Sequence, residues 1–164
     1  MWDERYSIDE YLFGTEPAAF VTAHAHLVEP RSRALAVADG EGRNSVYLAE
    51  RGVDVVAMDA SPVGVAKAER LAAQRGVTVD FRVADIMTWD WVPDAYDAVV
   101  AIFIQFLTPD QRATVFEAMQ RTLRPGGRLL LHGYRPEQVA LGTGGPGNPA
   151  HMYTEELLLD AFGG

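Results

Sequence analysis

The stretch 34–45, with the sequence ALAVADGEGRNS, joins a short apolar run to a glycine-containing loop and to the polar beginning of a helix. The apolar run, residues 34–38, has the length and continuity of a strand that is buried on both faces. Gly40 and Gly42 follow at once, and the pattern then predicts a helix over 44–51. A strand, a tight glycine loop and a helix in direct succession are typical of a parallel α/β sheet.

The same alternation continues along the chain. Further strands are predicted over 53–58, 77–83, 96–102 and 128–132, with helices over 15–28, 62–76 and 109–123. Ser61 and Thr108 are predicted helix caps, each followed by a first-turn proline, and residues 124–127 are predicted to form a turn before the fifth strand. We therefore expect an α/β fold of three layers, in which helices cover a mostly parallel sheet of about five strands.

The composition indicates one domain and excludes several functions. The 164 residues are 48% hydrophobic and 23% charged, with a net charge of -9, which disfavours nucleic acid and anionic lipid as partners. No apolar run reaches the roughly 18 residues of a membrane span, and no signal peptide precedes the core, so we expect a cytoplasmic protein with no membrane contact. The absence of cysteine excludes disulfides, thiolate nucleophiles and cysteine-ligated zinc.

Small and acidic residues follow the ends of three successive predicted strands. In a parallel sheet these ends meet at one edge, where ligands bind. Asp59 lies 19 residues after Gly40, close to the offset of roughly 20 residues at which an acid contacts ribose hydroxyls. Asp85 follows the third strand, where a carboxylate can accept from the adenine amine. A short glycine loop is alternatively only a turn, and a strand-end acid only a helix cap, but their combination favours an adenosine ligand.

The glycine loop also discriminates between adenosine ligands. A dinucleotide loop requires a third glycine, and Ser45 occupies that position. Glu41 in the middle of the loop would repel a pyrophosphate. A cationic cofactor without phosphate is a better match to this acidic loop, which favours S-adenosylmethionine.

Further motifs extend the pattern over nearly the whole chain: Tyr11–Pro17, Ala38–Asn44, Asp59–Ser61, Ala84–Ile86, Ala101–Phe106, Leu123–Gly127 and Gly142–Pro146. With these motifs the sequence resembles the class I S-adenosylmethionine-dependent methyltransferases, which have a Rossmann-like sheet. It is most similar to the small bacterial subgroup related to tellurite-resistance and thiopurine methyltransferases. The resemblance implies methyl transfer to a small-molecule acceptor, with a thiol, selenium or tellurium compound implied by the subgroup.

The resemblance also implies positions for the cofactor. It places the methionine end against Ala38, Gly40 and Gly42, the ribose on Asp59, and the adenine against Ala60, Ala84, Asp85 and Ile86. It places Ala101 and Phe103 under the sulfonium, Gln105 and Phe106 towards the substrate, and Tyr11, Phe13 and Gly14 over the cofactor. The usual family motif has an acid within the first strand, where this chain has Ala36. We therefore expect Asp39 to take over part of the contact to the methionine amino group.

Methyl transfer from a sulfonium requires alignment more than acid–base chemistry. A general base is needed only for a protonated acceptor, and His132 and Tyr134, just past the fifth strand, are the candidates beside Gln105 as predicted catalytic residues. A histidine at a strand end can instead only pack. No metal is expected, because His24 and His26 point about 200° apart on a helix.

The predicted domain covers residues 1–164, with an N-terminal lid and helix over 1–30, the core over 31–135, and a glycine loop and final helix over 136–164. Class I methyltransferases resemble one another in a seven-stranded sheet, so the sequence predicts a sheet that lacks the last two strands. A truncated chain, a partner that covers the edge, or a domain that binds S-adenosylmethionine or S-adenosylhomocysteine without catalysis would each explain this. We expect a homodimer that covers the edge of the fifth strand and the helix over 154–162.

Overall fold

The computed structural model describes residues 7, 11, 14–102, 104 and 107–132. Five parallel strands form one sheet: β1 (Arg33–Val37), β2 (Asp54–Asp59), β3 (Asp80–Val83), β4 (Tyr96–Ile102) and β5 (Leu123–His132). The helices are α1 (Ala19–His24), α2 (Arg43–Glu50), α3 (Pro62–Arg75) and α4 (Pro109–Thr122), and a 3-10 turn, Ala25–Leu27, follows α1. The predicted α/β fold with a parallel sheet is confirmed.

Apolar runs form the strands because both faces of the sheet are covered. Leu35 and Val37 point into a cluster on one face, which α4 closes with Phe116. Ala34 and Ala36 point to the other face, where α1 contributes Val21. Successive side chains of one strand thus enter opposite cores, which explains why the strands read as continuous apolar runs.

The helix caps follow the sequence, but two predicted boundaries are wrong. Ser61 accepts a hydrogen bond from the Gly64 N–H at 3.1 Å, as expected of a cap. The first helix begins at Ala19 instead of Thr15, because Ala18 is extended and donates its N–H to a side chain of α2. The third strand begins at Asp80 instead of Val77, whose N–H still bonds the end of α3.

The predicted turn over 124–127 lies inside β5 as a bulge. Tyr96 pairs with Leu123, but Ala98 pairs with Arg128, so four residues of β5 face a single residue of β4. A Cβ on Gly127 would lie 2.9 Å from the Arg124 carbonyl oxygen, so the bulge requires glycine there. The prediction of a separate turn was wrong because cross-strand pairing resumes on both sides of it.

The strand order β3-β2-β1-β4-β5 places a switch point between β1 and β4. From β1 the chain crosses to β2 on one side, and it later returns to β4 on the other side. Ligands of open parallel sheets bind at such a point, beyond the carboxyl ends of the strands. Among the described residues, no helix is long and apolar enough to cross a membrane.

Candidate cofactor-binding site

The loop that follows β1 requires glycine because it is pressed against α3. Gly40 and Gly42 both have positive φ angles, 61° and 90°. A Cβ on Gly42 would lie 2.6 Å from the Ala68 Cβ of α3, closer than any real contact. Ala38 is also left-handed, with φ 50°. The loop therefore turns sharply at the end of β1 and brings α2 and α3 together.

Asp59, at the end of β2, connects this loop to the start of α3. Its Oδ1 accepts from the Gly40 N–H at 3.1 Å, and its Oδ2 accepts from the Ser61 N–H at 3.0 Å. These two bonds fix the orientation of the carboxylate, which is an acceptor-only group. Ala60 beside it is exposed. The assignment of Asp59 to the ribose and of Ala60 to the adenine stays a prediction from the sequence.

Asp39 bonds α2 in the structure. Its Oδ2 accepts from the Ser45 hydroxyl at 2.5 Å, and its Oδ1 accepts from the Ser45 N–H at 3.3 Å. Gly42, the residue before α2, has no side chain to cap that helix. The carboxylate of Asp39 caps it instead, by accepting from the N–H of Ser45, six residues further along the chain. Burial raises the pKa of the Asp39 carboxyl to about 7, the nearby charge of Asp59 acts in the same direction, and the bond from Ser45 opposes both.

Ser45 is a site residue that the sequence reasoning missed. In the sequence it is only the residue at the position of an absent third glycine, but its side chain is fully buried and bonds Asp39. A hydroxyl at the third residue of a helix, six residues after an acid, was the available signal.

Glu41 does not present its charge to the loop surface. Its carboxylate lies 2.5 Å from the Lys67 ammonium of α3, and both side chains are 3% exposed. The prediction that Glu41 repels a pyrophosphate was therefore wrong, because its charge is compensated within the protein. Asp39 and Asp59, the other acids of this corner, are both partly buried.

A second acidic position lies next to Asp59, beyond β3. The Ala84 N–H donates to the Asp59 carbonyl at 2.9 Å, so the two strand ends are adjacent. Asp85 is exposed, and its Oδ1 accepts from the Met87 N–H at 2.8 Å. Ile86 is buried in the core cluster. The structure thus brings the predicted adenine-binding residues beside the predicted ribose-binding residue.

The ends of β4 and β5 lie on the other side of the switch point. Ala101 is fully buried between Val37 and Leu131, its partners on the neighbouring strands. Ile102 pairs with His132 at the end of the sheet. The predicted site residues Phe103, Gln105, Phe106 and Tyr134 lie outside the described residues.

His132 packs against α1. Its ring stacks on the Phe20 ring, with centroids 4.6 Å apart and an interplanar angle of 9°. Burial lowers the pKa of His132, and the neighbouring His24 lowers it further, so the imidazole is neutral near pH 7. A neutral imidazole that is held by stacking has the protonation state of a general base.

Part of the predicted N-terminal cover is described. Gly14 is exposed, with φ 78°, and donates its N–H to the Tyr11 carbonyl at 3.1 Å. The Tyr11 hydroxyl donates to the Lys67 carbonyl at 3.0 Å. Phe13 lies outside the described residues. Tyr11 thus contacts α3, the helix whose Lys67 pairs with Glu41.

A glycine loop and two acids, Asp59 and Asp85, thus follow three neighbouring strands along the carboxyl edge of the β3-β2-β1-β4-β5 sheet. The sequence profile of the family described as "Methyltransferase domain" matches residues 34–127. This chain therefore belongs to that family of methyltransferase domains.

Curated relatives agree with this assignment. Demethylmenaquinone methyltransferase of Thermus thermophilus is 36% identical over 106 residues, which cover 63% of this chain and 48% of that enzyme. An uncharacterised protein of Mycobacterium bovis is 30% identical over 102 residues, which cover 62% of this chain and 37% of that protein. The matched segment thus spans less than half the length of either relative.

Solved structures show the same fold. TehB from Haemophilus influenzae superposes with a TM-score of 0.74 at 21% identity, covering 89% of this chain and 50% of that chain. A SAM-dependent methyltransferase from Geobacter sulfurreducens, solved in complex with S-adenosyl-L-homocysteine, gives 0.67 at 23% identity, covering 99% and 67%. At these identities the likeness concerns the fold alone.

Proposed function

We propose that this chain binds S-adenosylmethionine at the edge where β1, β2 and β4 end, and that it transfers the methyl group to a small-molecule acceptor. The observation that carries the proposal is Asp59. Its carboxylate is held at the carboxyl end of β2, beside the switch point, by the N–H groups of Gly40 and Ser61, and a carboxylate is an acceptor of the kind that ribose hydroxyls require.

The electrostatics of the corner suit a cationic ligand. Burial raises the pKa of the Asp39 carboxyl to about 7, and the charge of the nearby Asp59 acts in the same direction. A ligand ammonium or sulfonium group near Asp39 would favour its ionised form, whereas a pyrophosphate would add to the repulsion. This charge distribution supports the predicted contact between Asp39 and the methionine amino group.

S-Adenosylmethionine supplies a methyl group on a sulfur that is already an activated leaving group. The chain then has to bind the cofactor and the acceptor, orient them towards each other and exclude water. The ends of the central strands are lined by buried apolar side chains, among them Val37, Ala101 and Ile104. These side chains give the proposed site an apolar base. No covalent intermediate with the protein is needed, in agreement with a chain that has no cysteine.

His132 is the proposed proton acceptor for an acceptor group that is protonated at working pH. Its lowered pKa leaves it neutral near pH 7, and its stacking on Phe20 fixes the ring at the end of β5. Tyr134 and Gln105 remain predictions from the sequence.

The acceptor class is proposed from resemblance. The subgroup resemblance favours a thiol, selenium or tellurium compound, whereas the relative from T. thermophilus is named for demethylmenaquinone. An acceptor panel should therefore include thiols, selenols, phenolic hydroxyls and amines. Turnover on any of them supports an enzyme. Binding without turnover on all of them would favour a binding module.

The test of the cofactor site is isothermal titration calorimetry with S-adenosylhomocysteine. We expect Asp59→Asn to weaken binding by on the order of 1 to 3 kcal/mol, because charged hydrogen bonds to the ribose are lost. Asp54→Asn is the matched control, since Asp54 is the exposed acid at the opposite end of β2. Binding that is absent from the unaltered chain, or equal in both variants, would refute the site.

The predicted homodimer also remains a proposal. β5 is a terminal strand of the described sheet, and the helix over 154–162 that the dimer would also cover lies outside the described residues. Sedimentation at micromolar concentration tests it, and a monomer would refute it.

A further inference from the structure

The ion pair between Glu41 and Lys67 joins the glycine loop to the second turn of α3. Lys67 is the only lysine of the chain, and both side chains are almost inaccessible to water. Burying two charges costs desolvation free energy that their attraction repays only in part, and apolar residues would avoid this cost. The pair is therefore better explained by what it holds in place than by a gain in stability.

Tyr11 contacts the same lysine at two points. Its hydroxyl donates to the Lys67 carbonyl at 3.0 Å, and its ring centroid lies 5.3 Å from the Lys67 ammonium. The ring also packs against a small apolar cluster of α2 and α3 that contains Val46 and Leu71. Lys67 thus has the N-terminal segment on one side and the middle of the glycine loop on the other.

A second connection ties the N-terminal segment to the other end of the glycine loop. The Ala18 N–H donates to Asn44 Oδ1 at 2.9 Å, and this bond is buried. Asn44 is the second residue of α2, two positions after Gly42. The segment that contains Tyr11 and Ala18 is therefore bonded on both sides of the loop, at Lys67 and at Asn44.

We propose that Lys67 is a positioning residue that joins the segment around Tyr11 and the glycine loop into one cofactor-binding unit. If Tyr11 moves away, the Lys67 ammonium loses the aromatic ring that lies beside it and the Lys67 carbonyl loses a hydrogen bond. Glu41 is then held less firmly, and with it the flanking Gly40 and Gly42. This inference rests on the proposed function, because it assigns the loop to S-adenosylmethionine.

Hydrogen exchange without ligand tests the mechanical part of the proposal. Tyr11→Phe removes only the hydroxyl that bonds Lys67. We expect amide exchange in the peptide over 38–45 to become roughly three- to tenfold faster, the effect of one lost hydrogen bond. Tyr47→Phe is the matched control, because Tyr47 is a partly buried tyrosine of α2 whose ring lies near Arg51. Equal exchange in both variants would overturn the proposal.

Calorimetry with S-adenosylhomocysteine tests the functional part. We expect Tyr11→Phe to raise its Kd roughly three- to tenfold and Tyr47→Phe to leave it unchanged. The double variant Glu41→Gln with Lys67→Met removes both buried charges, so its melting temperature should stay near that of the unaltered chain. Its Kd should still rise about tenfold.

The outcomes separate this proposal from the proposed function. If the double variant keeps both its melting temperature and its Kd, the pair only fills space and Lys67 is not a positioning residue. If the unaltered chain binds no S-adenosylhomocysteine, the proposed function fails, and the exchange comparison still decides whether Lys67 joins the two segments.

Discussion

The corner around the glycine loop and the corner formed by β3 with the turn after it, residues 80–87, contain the same kinds of groups in opposite environments. Each has an ion pair. The side chains of Glu41 and Lys67 are each 3% exposed, whereas those of Asp80 and Arg82 are each about half exposed. Each also has a strand-end carboxylate. Burial, and not the types of residue, therefore distinguishes the two corners.

The two carboxylates differ in what they connect. Asp59 bonds the backbone of Gly40 and of Ser61, which belong to two different loops. Asp85 accepts from Met87, two residues further along the same turn. A carboxylate that connects separate segments fixes a binding site in advance, whereas a local one stabilises its own turn.

The largest difference should appear when each ion pair is broken. Lys67→Met leaves Glu41 buried without its partner, and we expect the free energy of unfolding to fall by about 3 to 5 kcal/mol. The matched change Arg82→Met, in the exposed pair, should cost at most about 1 kcal/mol. Urea denaturation measures both. Equal losses would mean that burial does not separate the two corners.

The pH dependence of stability should come mainly from the buried corner. The pKa of Asp39 is about 7 in the folded state and near 3.8 in the unfolded state, so the folded state binds the extra proton between these values. The free energy of unfolding should therefore fall as the pH rises from about 4 to about 7, by as much as about 4 kcal/mol.

Two variants check this assignment by urea denaturation at a series of pH values. Asp39→Asn should remove the fall between pH 4 and 7. Ser45→Ala should move it to higher pH, because the hydrogen bond from Ser45 lowers the pKa of Asp39. An unchanged pH profile in Asp39→Asn would contradict the assignment.

The third prediction concerns the space around two glycines of positive φ. Gly42→Ala should cost about 2 to 4 kcal/mol, because it adds a clash with Ala68 to the backbone strain. Gly76→Ala has the same kind of strain but open space around the new Cβ, and it should cost about 1 to 2 kcal/mol. Thermal unfolding compares them, and equal losses would mean that α2 and α3 separate without cost.

Much of the fold follows from local sequence. The parallel sheet was predicted because its strands are short apolar runs between capped helices, and the caps Ser61 and Thr108 are local signals. The errors lie where a distant residue decides the local structure. Ala18 is extended because of a bond to Asn44, 26 residues away, and the bulge in β5 depends on pairing with β4. Neither partner is visible in a short window of sequence.

The candidate site likewise contains residues that the sequence predicts and contacts that it does not. Asp59 and Asp85 could be placed because strand ends of a parallel sheet meet at one edge. The contact between Tyr11 and Lys67 could not be predicted, since only the fold brings these two residues together. They lie 56 positions apart in the chain.

The sequence by itself determined a parallel α/β sheet and the order of glycine and acid along its carboxyl edge, because periodicity, caps and glycines act over a few residues. Only the tertiary structure decided which charges are compensated. The sequence predicts that Glu41 repels a pyrophosphate, whereas the fold pairs its carboxylate with the Lys67 ammonium inside the protein. The reason is physical: a charge acts through its surroundings, and distant segments supply those surroundings only when the chain folds.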